Sequence, residues 1–190
     1  MVFGWYTGQR VSLFIVAGLN LTIRPETEFD YSAVHDVELR AFRREGEAML
    51  IAALRCSDVY IPDLSFVAEI ESGIVIGHIL LTKVTLDHQD TGLLGLGPVA
   101  VAPEWQRRGV GSGMIAHAIS TAQALGYAAI VLLGDPGFYS RFGFAPGSLL
   151  GLRSTYAVRD EEFMALPLTA DSLVGRAGTI YYDAAFDQVT

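Results

Sequence analysis

The sequence has few of the residues that build disulfides and metal sites. Its 190 residues include one cysteine, Cys56, and four histidines. A single cysteine excludes an intramolecular disulfide and a multi-cysteine zinc site, and this usage agrees with a reducing, cytoplasmic compartment. The histidines include no pair at the spacing that places two metal ligands on one helix. We therefore expect no metal, and we expect Cys56, next to Leu54 in a helical pattern, to lie in the core.

Positive charge is also scarce. The chain has 13 basic against 21 acidic residues, a formal net charge of −8 and a pI near 4.9. A protein that follows the phosphates of nucleic acid needs clustered Lys and Arg, so this composition argues against a nucleic-acid partner. An acidic surface favours cationic partners such as amines.

Long apolar runs are missing as well. The apolar residues 11–19 follow a lone Arg10, and this run is far shorter than the roughly 20 residues that span a bilayer. One charge and no clear small-x-small cleavage site also argue against a signal peptide. We expect no membrane partner, an N-terminal extension over residues 1–18 that is an extra strand or a loosely attached segment, and a single domain over residues 19–190.

The most informative segment is glycine-rich and runs from Gln106 to Gly113. It lies between an apolar strand pattern that ends at Val101 and a helical pattern over residues 110–125. A strand, a glycine-rich turn and a helix N-terminus together form an anion-binding cradle, because the first N–H groups of a helix have no intrahelical partners. A P-loop is excluded because no Lys follows, and a dinucleotide fingerprint is excluded because Met114 stands where a third glycine belongs.

What remains is Gln-x-x-Gly-x-Gly at Gln106, Gly109 and Gly111, which resembles the pyrophosphate-binding motif of the GCN5-related N-acetyltransferase (GNAT) family. Two further blocks match in the correct order: a strand and its spacing to Gln106 over residues 96–106, and a tyrosine-bearing helix followed by Gly-Phe over residues 139–144. The motif core covers residues 93–146. The resemblance implies a mixed α/β (α+β) fold with a mostly antiparallel central sheet, a splayed parallel strand pair and flanking helices.

The resemblance also implies acetyl-coenzyme A as acetyl donor and assigns its binding residues. The strand bulges at Pro98, and its backbone would pair with the pantetheine arm of the cofactor. An Arg107 or Arg108 side chain would add charge to the main-chain N–H groups that share the pyrophosphate. The implied cofactor-binding residues are Val99, Ala100, Val101, Gln106, Arg107, Arg108, Gly109, Val110, Gly111, Ser112 and Gly113.

By the same resemblance, Tyr139 is the general acid that protonates the leaving thiolate, and a backbone N–H near Val99 stabilises the oxyanion. A tyrosine packed among aromatic residues is the structural alternative for Tyr139. The base that receives the proton of the amine is left open. Glu69, Glu71, His78 and His88 are all candidates, although His78 in an apolar run is more typical of a hydrogen-bonded core residue.

The function that follows is transfer of acetyl to a primary amine of a small molecule, peptide or protein, by direct attack in a ternary complex. No motif supports a serine or cysteine nucleophile. A non-catalytic acyl-CoA-binding sensor or structural domain is the alternative, and acetylation of aminoacyl-tRNA is a third, disfavoured by the acidic charge. The sequence leaves the acceptor and the oligomeric state open, with a homodimer possible.

Periodicity predicts the remaining elements. A first strand covers residues 21–24, two amphipathic helices lie over residues 31–42 and 49–54, and a hairpin joins strands 66–70 and 74–81. A polar loop over residues 87–92 leads to the strand that ends at Val101. Helix 110–125 with a Gly126 cap and strand 128–133 complete a βαβ unit. Strands at 163–168 and 178–182 complete the sheet, and could equally shape a substrate pocket or a dimer interface.

Overall fold

The computed structural model describes residues 2–6, 9–16, 19–71 and 73–189, with side chains described from residue 20 onward. The elements in chain order are β1 (Val2–Tyr6), β2 (Gln9–Val16), β3 (Leu19–Pro25), α1 (Tyr31–Phe42), α2 (Gly46–Arg55), β4 (Tyr60–Ile70), β5 (Val75–Leu86), β6 (Gln89–Val101), α3 (Val110–Ala124), β7 (Ala129–Leu133), α4 (Pro136–Tyr139), β8 (Ala145–Pro146), β9 (Leu152–Ser154), β10 (Phe163–Pro167) and β11 (Gly178–Tyr181).

The strands of the described residues form one sheet in the order β1-β2-β3-β4-β5-β6-β7-β10-β8, with β11 pairing β5 and β9. Neighbours from β1 to β6 are antiparallel. The pair β6 and β7 is parallel, and helix α3 connects them, which confirms the predicted βαβ unit. The mixed, mostly antiparallel sheet with flanking helices is therefore confirmed.

The predicted polar loop over residues 87–92 is wrong. Strand β5 continues to Leu86, which pairs with Gln89 at the start of β6. Only Asp87 and His88 form the turn, both with positive φ, 48° and 65°. Two such residues match the two-residue turn whose twist suits a hairpin. Asp87 also fixes this turn, because its carboxylate accepts a hydrogen bond from the Thr179 N–H at 2.9 Å.

Helices cover both faces of the sheet, and the alternation along β4 shows how. Phe66 and Ala68 pack in the cluster that includes α3, whereas Val67 between them packs in the cluster that includes α1 and α2. Successive side chains of a strand point to opposite faces, so the continuous apolar run of β4 is buried on both faces of the sheet. The central strands consequently lie inside the protein, and their ends position the site.

Cys56 does not lie in the core. It follows the last residue of α2 and its side chain is exposed, although Leu54 two positions earlier is fully buried. The helix ends at Arg55, so the helical periodicity that placed Cys56 near Leu54 no longer applies. The expectation for Cys56 was wrong because the sequence did not show where the helix stops.

The C-terminal strands complete the sheet as predicted: β10 pairs with β7, and β11 pairs with β5. Strand β2 occupies most of the apolar run at residues 11–19 and pairs with β3. Residues 1, 7, 8, 17 and 18 of the predicted extension lie outside the described residues, as does Ser72 of the predicted hairpin loop. The division into an extension and a single domain stays a prediction. No helix in the described part of the chain is long and apolar enough to cross a membrane.

Gly126 caps α3 as predicted, with φ of +83° and with the N–H groups of Gly126 and Tyr127 bonded to the carbonyls of Gln123 and Ala122. A Cβ at residue 126 would contact nothing within 4 Å, so Gly126→Ala changes only the backbone preference. We expect a loss of about 1 kcal/mol in the free energy of unfolding, measured by denaturant titration. The control is Ala124→Ser on the same exposed turn, and equal midpoints for the two variants would contradict this account of the cap.

Candidate active site

Strand β6 separates from β7 after three residues. Residues 93–95 of β6 pair in parallel with residues 129–131 of β7. Beyond residue 95, β6 pairs only with β5, while β7 pairs along its whole length with β10. A gap therefore opens between the two parallel strands toward their C-terminal ends, which is the edge where ligands bind in open α/β sheets.

A bulge in β6 marks the start of this gap. Leu81 of β5 pairs with Leu96, and Ile79 pairs with Val99, so Gly97 and Pro98 lie opposite a single residue of β5. Proline has no N–H for a ladder bond, and a bulge bends the strand that carries it. This position confirms the interpretation of Pro98 as a bulge residue.

Past the bulge, β6 directs unpaired backbone groups into the gap. The N–H of Ala102 donates to the Ile76 carbonyl of β5 at 2.9 Å. Since backbone polar groups alternate between the two sides of a strand, those of Val99 and Val101 point away from β5. The Val101 carbonyl accepts a hydrogen bond from Nε2 of Gln106 at 2.9 Å, so the Val99 N–H and carbonyl and the Val101 N–H are the groups that remain for a ligand.

The loop after β6 presents a second set of free N–H groups. Arg107 and Gly109 adopt positive φ, 58° and 91°, and α3 begins directly after Gly109. The N–H of Gly113 donates to the Gly109 carbonyl at 2.9 Å. The N–H groups of residues 110–112 precede the first helical bond and have no intrahelical acceptor. Together with the helix dipole, they make this loop suitable for an anion.

The strand gap and the loop enclose a cavity of about 560 Å³, called the loop cavity below. Its lining residues are Val99, Val101, Trp105, Gln106, Arg107, Gly109, Gly111, Ser112, Phe138, Tyr139 and Arg141.

Most of the residues predicted to bind cofactor line this cavity, but Ala100, Arg108, Val110 and Gly113 do not. Ala100 is fully buried in the cluster on the α1 and α2 side of the sheet. Val110 is buried beneath α3 with the sheet core. The side chains at these two positions therefore belong to the core and not to the cavity lining.

Two arginines supply positive charge to the loop cavity, and only one of them was predicted. Arg107 lines the cavity, whereas Arg108 has its guanidinium 5.4 Å from the ring centroid of Trp105. Arg141 is the second lining cation. Its Nε donates to the Phe138 carbonyl at 2.9 Å, and its guanidinium lies 4.0 Å from the Phe138 ring centroid. In the sequence, Arg141 lies within the matched block of residues 139–144, but a role was assigned only to Tyr139 of that block.

Tyr139 is held in place by close packing on glycine. A Cβ at Gly134 would lie 2.4 Å from Cε2 of Tyr139, so any larger residue there would displace the ring. The Tyr139 ring packs edge-on against Phe138 and Phe144, with centroid distances of 5.0 and 5.9 Å. These contacts fix the position of the ring, and the hydroxyl is the polar group of the side chain that can take part in hydrogen bonding.

The Tyr139 hydroxyl has no hydrogen-bond partner among the described residues. Burial raises the pKa of this group above its ordinary value of 10.0. The hydroxyl therefore stays protonated at neutral pH and can act as a proton donor in the cavity.

A second cavity of about 290 Å³ adjoins the first and is called the aromatic pocket below. It shares Val99 and Tyr139 with the loop cavity. Its lining residues are Phe42, Glu47, Leu50, Leu96, Gly97, Pro98, Val99, Leu133, Tyr139, Tyr156, Tyr182, Phe186 and Val189. Its walls include residues of α1, α2, β6 and the C-terminal segment. Of the two predicted C-terminal strands, the one at residues 178–182 contributes Tyr182, whereas no residue of 163–168 lines the pocket.

None of the four candidate bases lines either cavity. Glu69 accepts a hydrogen bond from Arg24 at 2.7 Å, and Glu71 accepts one from Asn20. His88 lies in the β5–β6 turn with its ring 3.8 Å from that of Tyr181. His78 is completely buried on β5. The sequence placed Glu69 and His78 on the correct strands, but Glu71 lies just after β4 and His88 lies in the turn between β5 and β6. It did not show which way each side chain points.

His78 belongs to a buried chain of hydrogen bonds between α1, β4 and β5. Its Nδ1 lies 2.8 Å from Oε1 of Glu38, and its Nε2 lies 3.2 Å from Oγ of Ser65. Ser65 donates its hydroxyl proton to Oε2 of Glu26 at 2.7 Å, and Glu26 forms an ion pair with Arg55. This confirms the interpretation of His78 as a hydrogen-bonded core residue.

The direction of these bonds assigns the protons. Because the only hydroxyl proton of Ser65 goes to Glu26, Nε2 of His78 must donate to Ser65. Burial lowers the pKa of His78 to about 4, so the ring is neutral and its Nδ1 accepts. The proton between His78 and Glu38 then belongs to Glu38, whose pKa burial raises to about 9. Both lines of reasoning give a protonated Glu38 at neutral pH.

Comparison with known proteins identifies a consistent set of relatives. Residues 62–146 match the family model described as an acetyltransferase (GNAT) domain. The chain is 30% identical over 168 residues to the uncharacterized N-acetyltransferase YhbS of Escherichia coli strain K12, covering 88% of this chain and 99% of that protein. It is 35% identical over 150 residues to the uncharacterized N-acetyltransferase YjhQ of the same strain, covering 76% and 82%.

Solved structures agree. The GNAT-family N-acetyltransferase YhbS from Escherichia coli, in complex with CoA, superimposes with a TM-score of 0.83 at 27% identity and covers 96% of each chain. A GNAT-family acetyltransferase from Brucella melitensis, in complex with acetyl-CoA, has a TM-score of 0.73 at 32% identity, covering 88% of this chain and 98% of that one.

The protonated Glu38 predicts a pH dependence of stability. Its pKa is about 9 in the folded protein against an ordinary 4.5, so between these values the folded state holds a proton that the unfolded state has lost. The contribution of Glu38 to stability is therefore fully present below pH 4.5 and is lost as pH rises toward 9, by at most about 1.4 kcal/mol per pH unit. His78 opposes this trend only between pH 4 and 6.5, below the range tested.

Glu38→Gln keeps a donor for His78 Nδ1 and removes the titration. Urea unfolding at pH 7 and pH 9 should show a clear loss of stability for the unchanged protein and a smaller loss for this variant. Exposed Glu28→Gln serves as the control and should follow the unchanged protein. Equal losses in all three proteins would show that Glu38 is already ionised at pH 7.

Proposed function

Because the chain belongs to the GCN5-related N-acetyltransferase family, we propose that it transfers acetyl from acetyl-CoA in the loop cavity to a primary amine in the aromatic pocket, by direct attack in a ternary complex. Family membership makes the chain an acyltransferase, and the acetyl-CoA complex of the Brucella relative supports the donor. The observation that carries the proposal is that the two cavities meet at Val99 and Tyr139. Two substrates bound on either side of these residues would meet there.

The loop cavity fits the phosphate end of the donor. Arg107 and Arg141 line it, and no carboxylate is found among its described lining residues. The free N–H groups at the start of α3 add a concave set of donors, and Gly109 and Gly111 allow close approach of an anion. The Val99 N–H and carbonyl and the Val101 N–H of β6 are the backbone groups with which an extended, amide-containing arm such as pantetheine would pair.

At the junction, each step of the transfer has a group of this chain beside it. The amine nitrogen forms a bond to the acetyl carbon, and the bond from that carbon to sulfur breaks. The Val99 N–H is positioned to donate to the carbonyl oxygen as negative charge develops on it. The Tyr139 hydroxyl gives its proton to the leaving sulfur and regains one from the amine, so that an amide and a free thiol result.

An acceptor that arrives as an ammonium ion must release one proton before attack, and none of the four candidate bases lines either cavity. An amine of pKa about 10.4 is mostly protonated at neutral pH, and the small neutral fraction is the attacking form. Rates should therefore rise with pH as that fraction grows.

We also place the reaction in the cytoplasm, since Cys56 is an exposed free thiol and such thiols persist in reducing compartments.

Tyr139→Phe tests the proton donor. The ring contacts are retained, so the dissociation constant for desulfo-CoA should change less than twofold. Thiol release with an accepted amine should fall about 100-fold, the lower end of the range for general-acid catalysis. The measurements are calorimetric titration with desulfo-CoA and a thiol-release assay with acetyl-CoA.

Tyr181→Phe is the matched control, because Tyr181 stacks on His88 and lines neither cavity. Its thiol release should equal that of the unchanged protein. Full activity in Tyr139→Phe would reject the acid role of Tyr139. Tight binding of acetyl-CoA by the unchanged protein without thiol release from any amine would favour the alternative function, a non-catalytic acyl-CoA sensor.

The arginines of the loop cavity give a second test. Arg107→Gln and Arg141→Gln should each weaken CoA binding about 3- to 10-fold in low salt, because each removes one partly exposed charge-assisted contact to phosphate. Raising the salt concentration should shrink the difference. Arg108→Gln is the control and should bind CoA as the unchanged protein does, since Arg108 does not line the cavity. Weakening by Arg108→Gln alone would place the phosphates on the other side of the loop.

A further inference from the structure

We propose that the acceptor is a small primary amine with a single positive charge on an apolar, preferably aromatic, body, and that the Glu47 carboxylate binds its ammonium group. This inference rests on the proposed function, because it takes the aromatic pocket as the acceptor site. It selects one chemical class among the acceptors that the sequence leaves open.

The lining of the aromatic pocket carries the argument. Five of its residues are aromatic: Phe42, Tyr139, Tyr156, Tyr182 and Phe186. The other lining residues are aliphatic or glycine, apart from Glu47, which is the one charged residue among the described lining. Apolar walls with a single carboxylate suit an apolar body with a single cation.

The same lining disfavours the other amine classes. A polyamine would bring two or more positive charges to a pocket that neutralises one of them, and the remaining charges would be desolvated without partners. A free amino acid would place its own carboxylate near Glu47, and like charges at short range repel. A pocket of about 290 Å³ is at the lower end of the range for small ligands, so it holds one small body.

Glu47 lines the pocket and has acceptor capacity beyond its ion pair. Its carboxylate is only 7% exposed, and its known partner is Arg44, whose side chain is 59% exposed. Arg44 Nε lies 3.0 Å from both carboxylate oxygens. A carboxylate has about four acceptor sites, and Arg44 does not line the pocket. An ammonium group can therefore add to Glu47 from the pocket while Arg44 contacts it from the solvent side.

The aromatic rings add attraction for the same ligand. The rings of Tyr156 and Phe186 both pack against that of Tyr182, with centroid distances of 5.6 and 5.4 Å. The Tyr182 ring also rests on β6, where a Cβ at Gly95 would lie 2.9 Å from its Cε1. Ring faces attract cations and also pack against an aromatic body, so this wall favours an arylalkylamine over a polar amine of equal charge.

The first experiment uses the unchanged protein saturated with desulfo-CoA and titrates amines by calorimetry. 2-Phenylethylamine is the probe of the proposed class. Phenylalanine has the same body plus a carboxylate, ethylamine has the charge without the body, and spermidine has several charges. We expect 2-phenylethylamine to bind at least tenfold tighter than each of the other three. Equal or weaker binding of 2-phenylethylamine, or no binding of it, overturns the inference.

Two variants then separate binding of the ammonium from support of α2. Glu47→Gln should weaken binding of 2-phenylethylamine at least tenfold and leave desulfo-CoA binding unchanged. Arg44→Gln, the matched control, removes the competing cation, so its affinity for 2-phenylethylamine should be no lower than that of the unchanged protein. If Glu47 serves only to fix α2 through Arg44, both variants should weaken binding alike, and that result overturns the role of Glu47.

Failure of this inference is distinguishable from failure of the proposed function. No binding of desulfo-CoA or acetyl-CoA by the unchanged protein would reject the proposed function. Binding of desulfo-CoA followed by preference for spermidine or phenylalanine would reject only the acceptor class. The comparison of amines uses no variant, so it decides the question even where Glu47→Gln does not fold.

Discussion

The site depends on one interruption of backbone pairing. At Gly97 and Pro98, strand β6 has two residues opposite one of β5, and its pairing with β7 ends at residue 95. Had the parallel pair continued, the backbone groups of Val99 and Val101 would have been used within the sheet. The interruption instead leaves them outside the sheet pairing while β6 stays paired with β5, and among the described residues only the Val101 carbonyl is taken up, by Gln106. A well-supported strand can therefore present hydrogen-bonding groups to a ligand.

The two cavities on either side of this interruption have opposite electrostatic character. Arg107 and Arg141 face the loop cavity, and Glu47 faces the aromatic pocket. An anionic donor and a cationic acceptor would thus each be attracted to a different cavity, on either side of the shared residues Val99 and Tyr139. The buried chain from Glu38 to Glu26 contributes no charge to the cavities. It joins α1 to the sheet through His78 and Ser65, and so holds the helix whose last residue, Phe42, lines the pocket.

The sequence predicted those parts of the site that are formed by residues close together in the chain. It did not predict the parts that depend on the direction of side chains from distant segments. The spacing of Gln106, Gly109 and Gly111 predicted the loop because these residues act through a local turn. Arg141 and Glu47 were missed, since each matters only through contacts with segments distant in sequence. Cys56 was misplaced because one residue decides where a helix ends. The loop over residues 87–92 was misread because polar residues that extend a hairpin look like a linker when no pairing is visible.

The aromatic pocket and the loop cavity are encoded in different parts of the chain. Every residue that lines the loop cavity lies in the range from Val99 to Arg141, within the stretch of residues 62–146 that matches the family model. More than half of the residues that line the aromatic pocket lie outside that stretch, in α1, α2 and the C-terminal segment. If the loop cavity binds the donor and the aromatic pocket the acceptor, as proposed, substitutions in the flanking segments would change the choice of amine and leave the strand and loop of the donor site unchanged.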